Sequence, residues 1–289
     1  MTDTTNTEIN VLSAPFRGTG AFTYTLHLAD NALILGQRNA EWCGHGPVLE
    51  QDIAITNISL DLIGQARNFY QYAADLYNGF SEEEKKAVEH LMPQPWKSFN
   101  RELQEDDLAF LRAEKQYLNL LLAELPNGDW AQTVLKQFFF SAFQFYQYTA
   151  LQNSSDEQLA AVAEKSLKEV AYHLRWSGEW VIRLGDGTEE SNSRMQKALE
   201  NVWMYTGEMF HAAPFEKEAA ESGFGVDVTN NLKEAWLQKI TAVFNEATLE
   251  IPKSTWAQSG GKRGVHTEHL GFLLTEMQYL QRTYPNATW

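Results

Sequence analysis

Residues 166–176 read SLKEVAYHLRW, a run that sets Glu169 four residues before His173. On a helix, residues three apart share a face, so a Glu-x-x-His pair turns a carboxylate and an imidazole toward one metal. Four such carboxylates balance the charge of two iron ions. Here, however, the three-residue partner of His173 is Val170. At about 100° per residue, Val170 stands at the centre of the stripe Leu167, Val170, Leu174 and Val181. His173 lies about 60° to one side of that centre and Glu169 about 100° out, at the stripe's edge. The spacing therefore predicts Glu169 at the rim and an isopropyl group in the inward carboxylate's place. Residues 59–69, SLDLIGQARNF, behave alike: Leu62 and Gln65 take the inward three-residue spacing and Asp61 is offset by one. Leucine binds no iron, and glutamine is a weak neutral ligand.

Other residues with chemical potential are less coherent. Cys43 in EWCGHG sits near His45, but a small buried thiol at a helix end is the plainer expectation. His266 and His269 in HTEH are spaced for zinc, yet no third ligand accompanies them and the motif is not His-Glu-x-x-His. A histidine-rich first turn or an interface is expected there instead. The loop GGKRG at 260–264 is basic in an acidic chain and reads as flexible. Its Lys262 and Arg263 either touch a coenzyme A phosphate or an acidic partner surface, or face solvent on a plain inter-helix turn. There is no Gly-x-x-x-x-Gly-Lys loop, no dinucleotide-binding fingerprint and no coherent hydrolase triad.

These side chains need elements to hold them, and the periodicity supplies helices. Hydrophobic residues recur at three- and four-residue intervals from Tyr24 onward, without runs of strict alternation. A first helix is predicted over Phe22 to Trp42, broken by Gly44-His45-Gly46-Pro47, and a second from Pro47 to about Tyr77. A long polar connection to about Gln104 follows, with one short helix near Glu82 to Leu91. Further helices are predicted near 106–125, 130–151, 156–184, 193–210, 230–249 and 266–282. The one over 130–151 is apolar nearly all round, with Phe138, Phe139, Phe140, Phe143, Phe145, Tyr146 and Tyr148, and is expected at the centre.

Composition bounds the rest. A chain of 289 residues with 44% hydrophobic and 21% charged residues can bury a sizeable core. Its net charge of -15 repels a phosphate backbone, so nucleic acid is not an expected partner. A single cysteine excludes an internal disulfide and suits a reducing compartment, with the cytoplasm as the expected location. Residues 1–20 read as a flexible, uncleaved tail, and no run approaches the roughly 18 apolar residues that span a bilayer.

Short connections between long helices favour antiparallel neighbours and an all-α helical bundle, its four central helices coming from the pairs over 22–77 and 130–184. Such a bundle resembles the ferritin-like carboxylate proteins, in which two helices each give a Glu and two give Glu-x-x-His. The stretches EWCGHGPVLEQDIA, DLIGQARNFYQYAADL, LLLAELPNGDWAQT, KEVAYHLRWSGEW and GGKRGVHTEHLGFLLTEMQYLQR resemble the PaaC-type structural subunits of bacterial phenylacetyl-CoA epoxidase, a multicomponent oxygenase. The resemblance covers residue 21 to the C-terminus, except the connection around 80–103. It implies one ferritin-like domain over 21–289, with additional helices, pairing with a homologous PaaA-type subunit that holds the di-iron site and is served by a reductase. It also implies that this chain binds no cofactor. Carried onto this chain, the catalytic subunit's ligand pattern falls on Glu41, on Leu62 and Gln65, on Ser141, and on Val170 and His173. Of these six only Glu41 and His173 could still coordinate iron, and they are expected as buried polar groups satisfied by each other, by Gln65 or by water.

The function this implies is a non-catalytic scaffold that supports the catalytic subunit in aerobic phenylacetate degradation and helps form the entrance for phenylacetyl-CoA. Two rivals stand beside it: a self-sufficient metalloenzyme built from Glu41, Glu169, His173 and Asp61, and a coenzyme A ester carrier without redox chemistry.

Overall fold

The computed structural model describes residues 18–254 and 256–287, so most of the predicted N-terminal tail lies outside the described residues. The described chain is all-α. Its helices are α1 (Thr19–Ala40), α2 (Leu49–Asn78), α3 (Glu82–Ala87), α4 (Glu105–Phe110), α5 (Leu121–Glu124), α6 (Trp130–Leu151), α7 (Glu157–Gly185), α8 (Glu189–Val202), α9 (Pro214–Glu221), α10 (Asn231–Glu246), α11 (Glu268–Met277) and α12 (Tyr279–Thr283). The predicted pairs form the core: α1 packs along α2, α6 along α7, and α2 meets α7 across the bundle.

Local chemistry fixes where these helices start. Asp129 and Asp156 cap α6 and α7 by accepting from the amides of Gln132 and Leu159. Thr188 caps α8 in the same way through Ser191, which is why α8 begins at Glu189 rather than at the predicted Ser193. α1 and α2 approach closely at Gly36, where a Cβ would stand 3.2 Å from the Leu62 Cβ, and Ser59 donates to the Gly36 carbonyl at 2.6 Å.

Helix α6 is buried around most of its surface, as its sequence predicts, with only Thr149 and Ala150 exposed. Phe138, Phe139, Phe140, Phe143 and Tyr148 are buried, while Phe145 and Tyr146 are half-buried. Trp236 of α10 stacks near Phe139 and donates its indole N–H to the Phe139 carbonyl at 3.0 Å. Each fully buried aromatic contributes about 1.5–3 kcal/mol relative to exposure.

The continuous helix predicted over 106–125 is not one. It breaks into α4, a 3-10 turn at Glu114–Gln116 and α5, with extended backbone between. Side chains of other segments take the backbone groups a helix would use. Asp30 and Asn31 of α1 accept from the amides of Leu118 and Leu120 at 2.7 and 2.8 Å, and Glu208 accepts from Leu121 at 2.9 Å. The buried Arg112 guanidinium donates to the carbonyls of Leu108 and Gln116, both at 2.6 Å, and pairs with Asp30. The strap so formed lies along α1.

The predicted helix 193–210 likewise ends at Val202, giving way to 3-10 turns at Trp203–Tyr205 and Gly207–Phe210. That over 266–282 divides at Gln278, whose side chain donates to the Arg112 carbonyl and the Tyr117 hydroxyl, both at 2.9 Å.

Candidate functional site

At the positions of α2 and α7 onto which the family resemblance carries carboxylate ligands, the chain has hydrocarbon. Leu62 and Val170 are wholly buried. The polar side chains around them bond to one another in part, while the buried His173 Nδ1 and Gln65 Oε1 have no hydrogen-bond partner among the described residues. His173 is buried, and its Nε2 lies 3.0 Å from the Asp61 carboxylate across the seam between α7 and α2. One turn along, Gln65 donates to Glu169 at 2.9 Å. Glu169 thus stands at the rim and Asp61 is offset from the inward position, as the helical angles predict. Further along the same seam Trp176 donates to Gln51 at 3.1 Å, and Tyr72 donates to Asp156 at 2.7 Å.

Ser141 closes a second chain of amides on the α1–α6 side. Asn39 donates to Gln137 at 2.7 Å, and Gln137 donates to the Ser141 hydroxyl at 2.8 Å. All three are buried and neutral.

Glu41 is not part of this interior. Helix α1 ends at Ala40, so Glu41 occupies the turn beyond it, 36% exposed, where it accepts from Arg38 at 2.6 Å and Asn127 at 3.0 Å. The expectation that Glu41 is a buried polar group is corrected accordingly; His173 is buried, as expected, but its partner is Asp61 rather than Glu41 or Gln65. Cys43 is corrected with it: the same turn carries the thiol out of the bundle, and it is exposed.

The donor set does not fit a di-iron centre. Of the six positions, one carboxylate sits outside the bundle, one imidazole is held by Asp61, and the remaining four offer an amide, a hydroxyl and two hydrocarbons. Among the described residues no three His, Cys, Asp or Glu side chains come together to hold a metal ion.

The two outlying motifs also resolve into internal contacts. His266 places Nδ1 2.8 Å from Glu124 and Nε2 2.8 Å from the Tyr117 carbonyl. Burial alone would lower its pKa, but the hydrogen bond and charge of Glu124, with the Tyr117 carbonyl, prevail and raise it. His269 joins no shared site; its carbonyl accepts from Arg38 at 2.7 Å.

The GGKRG loop, expected to be flexible and accessible, is wedged against the strap. A Cβ at Gly261 would fall 2.0 Å from the Asn119 carbonyl oxygen, and Gly264 has φ 71° with the Lys115 carbonyl against it. Lys262 is buried and bonds to both Glu216 oxygens, at 2.8 and 3.0 Å, and to the Met209 and His211 carbonyls. It is therefore closed to a phosphate, and only Arg263 remains on the surface.

One buried cation escapes motif reading altogether. Lys136 is fully enclosed in α6 and donates to the Leu125 carbonyl at 2.6 Å and to Asn127 at 3.1 Å. Burial first, and then the charge of Arg38, push its pKa down to about 7, against the pull of Glu41. The available signal was its isolation, a lone cation in the apolar run VLKQFFF.

The helix pairs α1–α2 and α6–α7, packed together through α2 and α7, define a ferritin-like bundle. The chain belongs to the phenylacetic acid catabolic protein family, whose model matches residues 17–289. It is 46% identical over 266 residues to the C subunit of 1,2-phenylacetyl-CoA epoxidase from Escherichia coli strain K12, a match covering 92% of this chain and 98% of that protein.

Proposed function

We propose that this chain is the structural subunit of a phenylacetyl-CoA epoxidase, paired with a homologous subunit that carries the di-iron centre. The observation that carries this reading is the α2–α7 seam: Leu62 and Val170 stand at the ligand positions the family resemblance implies, and Asp61–His173 and Gln65–Glu169 tie together the polar side chains beside them. Interhelix bonds of this kind fix the register of α2 against α7. The chain would act by holding the catalytic helices in register and by shaping the entrance for phenylacetyl-CoA, in the cytoplasm, with electrons delivered to the partner by a reductase. Arg263 is the loop cation still open to a phosphate or partner.

Co-expression with the homologous di-iron subunit, followed by measurement of complex size and of iron in each separated chain, tests the reading. A stable complex with iron confined to the partner is expected. Near-stoichiometric iron and oxygen activation in this chain alone would overturn it. The rival metalloenzyme built from Glu41, Asp61, Glu169 and His173 is disfavoured by geometry, since Arg38 and Asn127 hold Glu41 outside the bundle.

A further inference from the structure

Two histidines hold neighbouring carbonyls of the strap, and their partners assign them opposite protonation states. His27 of α1 lies 2.6 Å from the Leu118 carbonyl through Nδ1 and 3.1 Å from Asn31 Nδ2 through Nε2. His266, in the loop before α11, lies 2.8 Å from the Tyr117 carbonyl through Nε2 and 2.8 Å from Glu124 through Nδ1. Both imidazoles are withdrawn from solvent.

The polarity of each partner decides where the protons sit. A backbone carbonyl only accepts, so His27 Nδ1 carries a hydrogen. Asn31 Oδ1 accepts from the Leu120 amide at 2.8 Å, which fixes the orientation of the Asn31 amide and leaves Nδ2 to donate. His27 Nε2 is therefore a bare acceptor, and the ring is neutral. His266 meets acceptors at both nitrogens, a carbonyl at one and a carboxylate at the other. That carboxylate also accepts from Asn119 at 2.8 Å and from the Thr267 amide at 2.6 Å, contacts that favour its anion. Both nitrogens of His266 donate, so this ring is an imidazolium.

A change in either proton count breaks a contact that holds the strap. Protonated at Nε2, His27 would set an N–H against the Asn31 N–H, and turning the Asn31 amide to relieve the clash would take the acceptor from Leu120. Deprotonated, His266 would keep one bond, and either the carbonyl or the carboxylate would face a bare nitrogen.

The charges nearby bias the rings in these same directions. Around His27 stand Asp30 on its own helix, Glu216 of α9 at 3.7 Å, and Lys262 of the 260–264 loop, which pairs with Glu216. Around His266 stand Glu124 of α5 and Asp30 of α1, the latter paired with Arg112. Arg38 reaches the same corner but is engaged by Glu41 and by the Glu124 and His269 carbonyls, and Glu208 is engaged by the Leu121 and Gly260 amides. Burial opposes charge on both rings. Glu124 overcomes it at His266, whose pKa is raised, whereas Glu216 and Asp30 do not overcome it at His27, whose pKa is lowered.

We propose that His27 and His266 form a two-sided pH latch on the strap, closed while His27 is neutral and His266 is charged. Acid opens it at the His27 end and alkali at the His266 end, loosening residues 117–121 and the start of α11. In the open state both rings return to the ordinary value of 6.5. The His266 contribution is full below that value and is lost as pH rises through its folded value; the His27 contribution is full above 6.5 and is lost as pH falls toward its folded value.

The test applies long-range proton–nitrogen NMR of the imidazoles and hydrogen exchange of the Leu120 and Thr267 amides to the full chain, with exchange corrected for its intrinsic pH dependence. At the ordinary histidine value, His27 is expected with a proton on Nδ1 alone and His266 with protons on both nitrogens. Protection of Thr267 should fall by up to about tenfold per pH unit above that value, and protection of Leu120 by up to about tenfold per unit below it, the limit for one linked proton. His266→Gln, which cannot titrate, should flatten the alkaline limb and spare the acid one. A neutral His266 or a charged His27 in the wild-type spectra overturns the proposal, and these spectra decide the matter should the variant fail to fold. Protection that stays constant from roughly pH 5 to 9, or an alkaline limb that survives in His266→Gln, overturns it as well.

Discussion

Asp61 Oδ2 and His173 Nε2 lie 3.0 Å apart, joining α2 to α7 through a carboxylate–imidazole bond where metal coordination would otherwise be looked for. Its value is therefore conformational. His173→Ala should lower stability by about 1–2 kcal/mol in denaturant unfolding, the loss expected for one largely buried polar contact. Turnover per assembled epoxidase complex should be unchanged, and a loss of turnover with complex formation intact would give His173 a chemical role.

Asp30 and Arg112 form a wholly buried pair that anchors the strap to α1, with Tyr70 donating to the same carboxylate at 2.5 Å. Asp30→Ala leaves the guanidinium uncompensated and the Leu118 amide without its acceptor. A loss of about 3–5 kcal/mol is expected, read as a lowered denaturant midpoint. In the wild type, burial disfavours the Arg112 cation, but the Asp30 charge prevails and raises its pKa above the ordinary value.

Helix periodicity makes the four long helices legible because their stripes repeat over many turns. The strap at 111–126 has helical composition too, but its backbone groups are claimed by Asp30, Asn31, Arg112 and Glu208, and no pattern local to the strap announces them. The inward places of Leu62 and Val170 and the rim position of Glu169 follow from angles within single helices, so they are visible in sequence. The partner of His173 is not, because choosing Asp61 over Glu41 requires knowing how far α1 extends. Lys262 is hidden for a similar reason: a Gly-rich basic loop looks mobile until the carbonyls of Asn119 and Lys115 are seen to leave no room for movement.

Lys136 gives a pH signature. Its folded pKa of about 7 lies below its unfolded value of 10.5, so above pH 7 the unfolded chain binds the extra proton and this residue's contribution to stability rises with pH up to the unfolded value. The slope approaches about 1.4 kcal/mol per pH unit at most. Unfolding of the wild type and Lys136→Met across pH 7 to 10 should show the rise in the former relative to the latter.

His266 works in the opposite sense. Its folded pKa is raised above the unfolded 6.5, so its contribution is fully present below that value and is lost as pH rises through the folded value. His266→Gln should be less stable than wild type in mild acid, and the gap should narrow on the alkaline side. A gap independent of pH would show that protonation of His266 contributes nothing.

Gly261 separates loop closure from charge. Gly261→Ala pushes a methyl group into the Asn119 carbonyl, which must displace the loop or the strap, and is expected to lower stability by about 2 kcal/mol or more. Arg263→Ala, altering an exposed neighbour, should leave stability within about 0.5 kcal/mol of wild type.

The enclosure of α6 also sets an order of events during synthesis. Residues 130–151 leave the ribosome well before 231–246, yet Phe138 and Phe139 rest on Phe244 and Trp236 of that later helix. For the interval in which those codons are being read, the most aromatic helix of the chain has one flank bare. Nascent chains stopped short of residue 231 should therefore depend on chaperones and aggregate without them, while the finished chain should not.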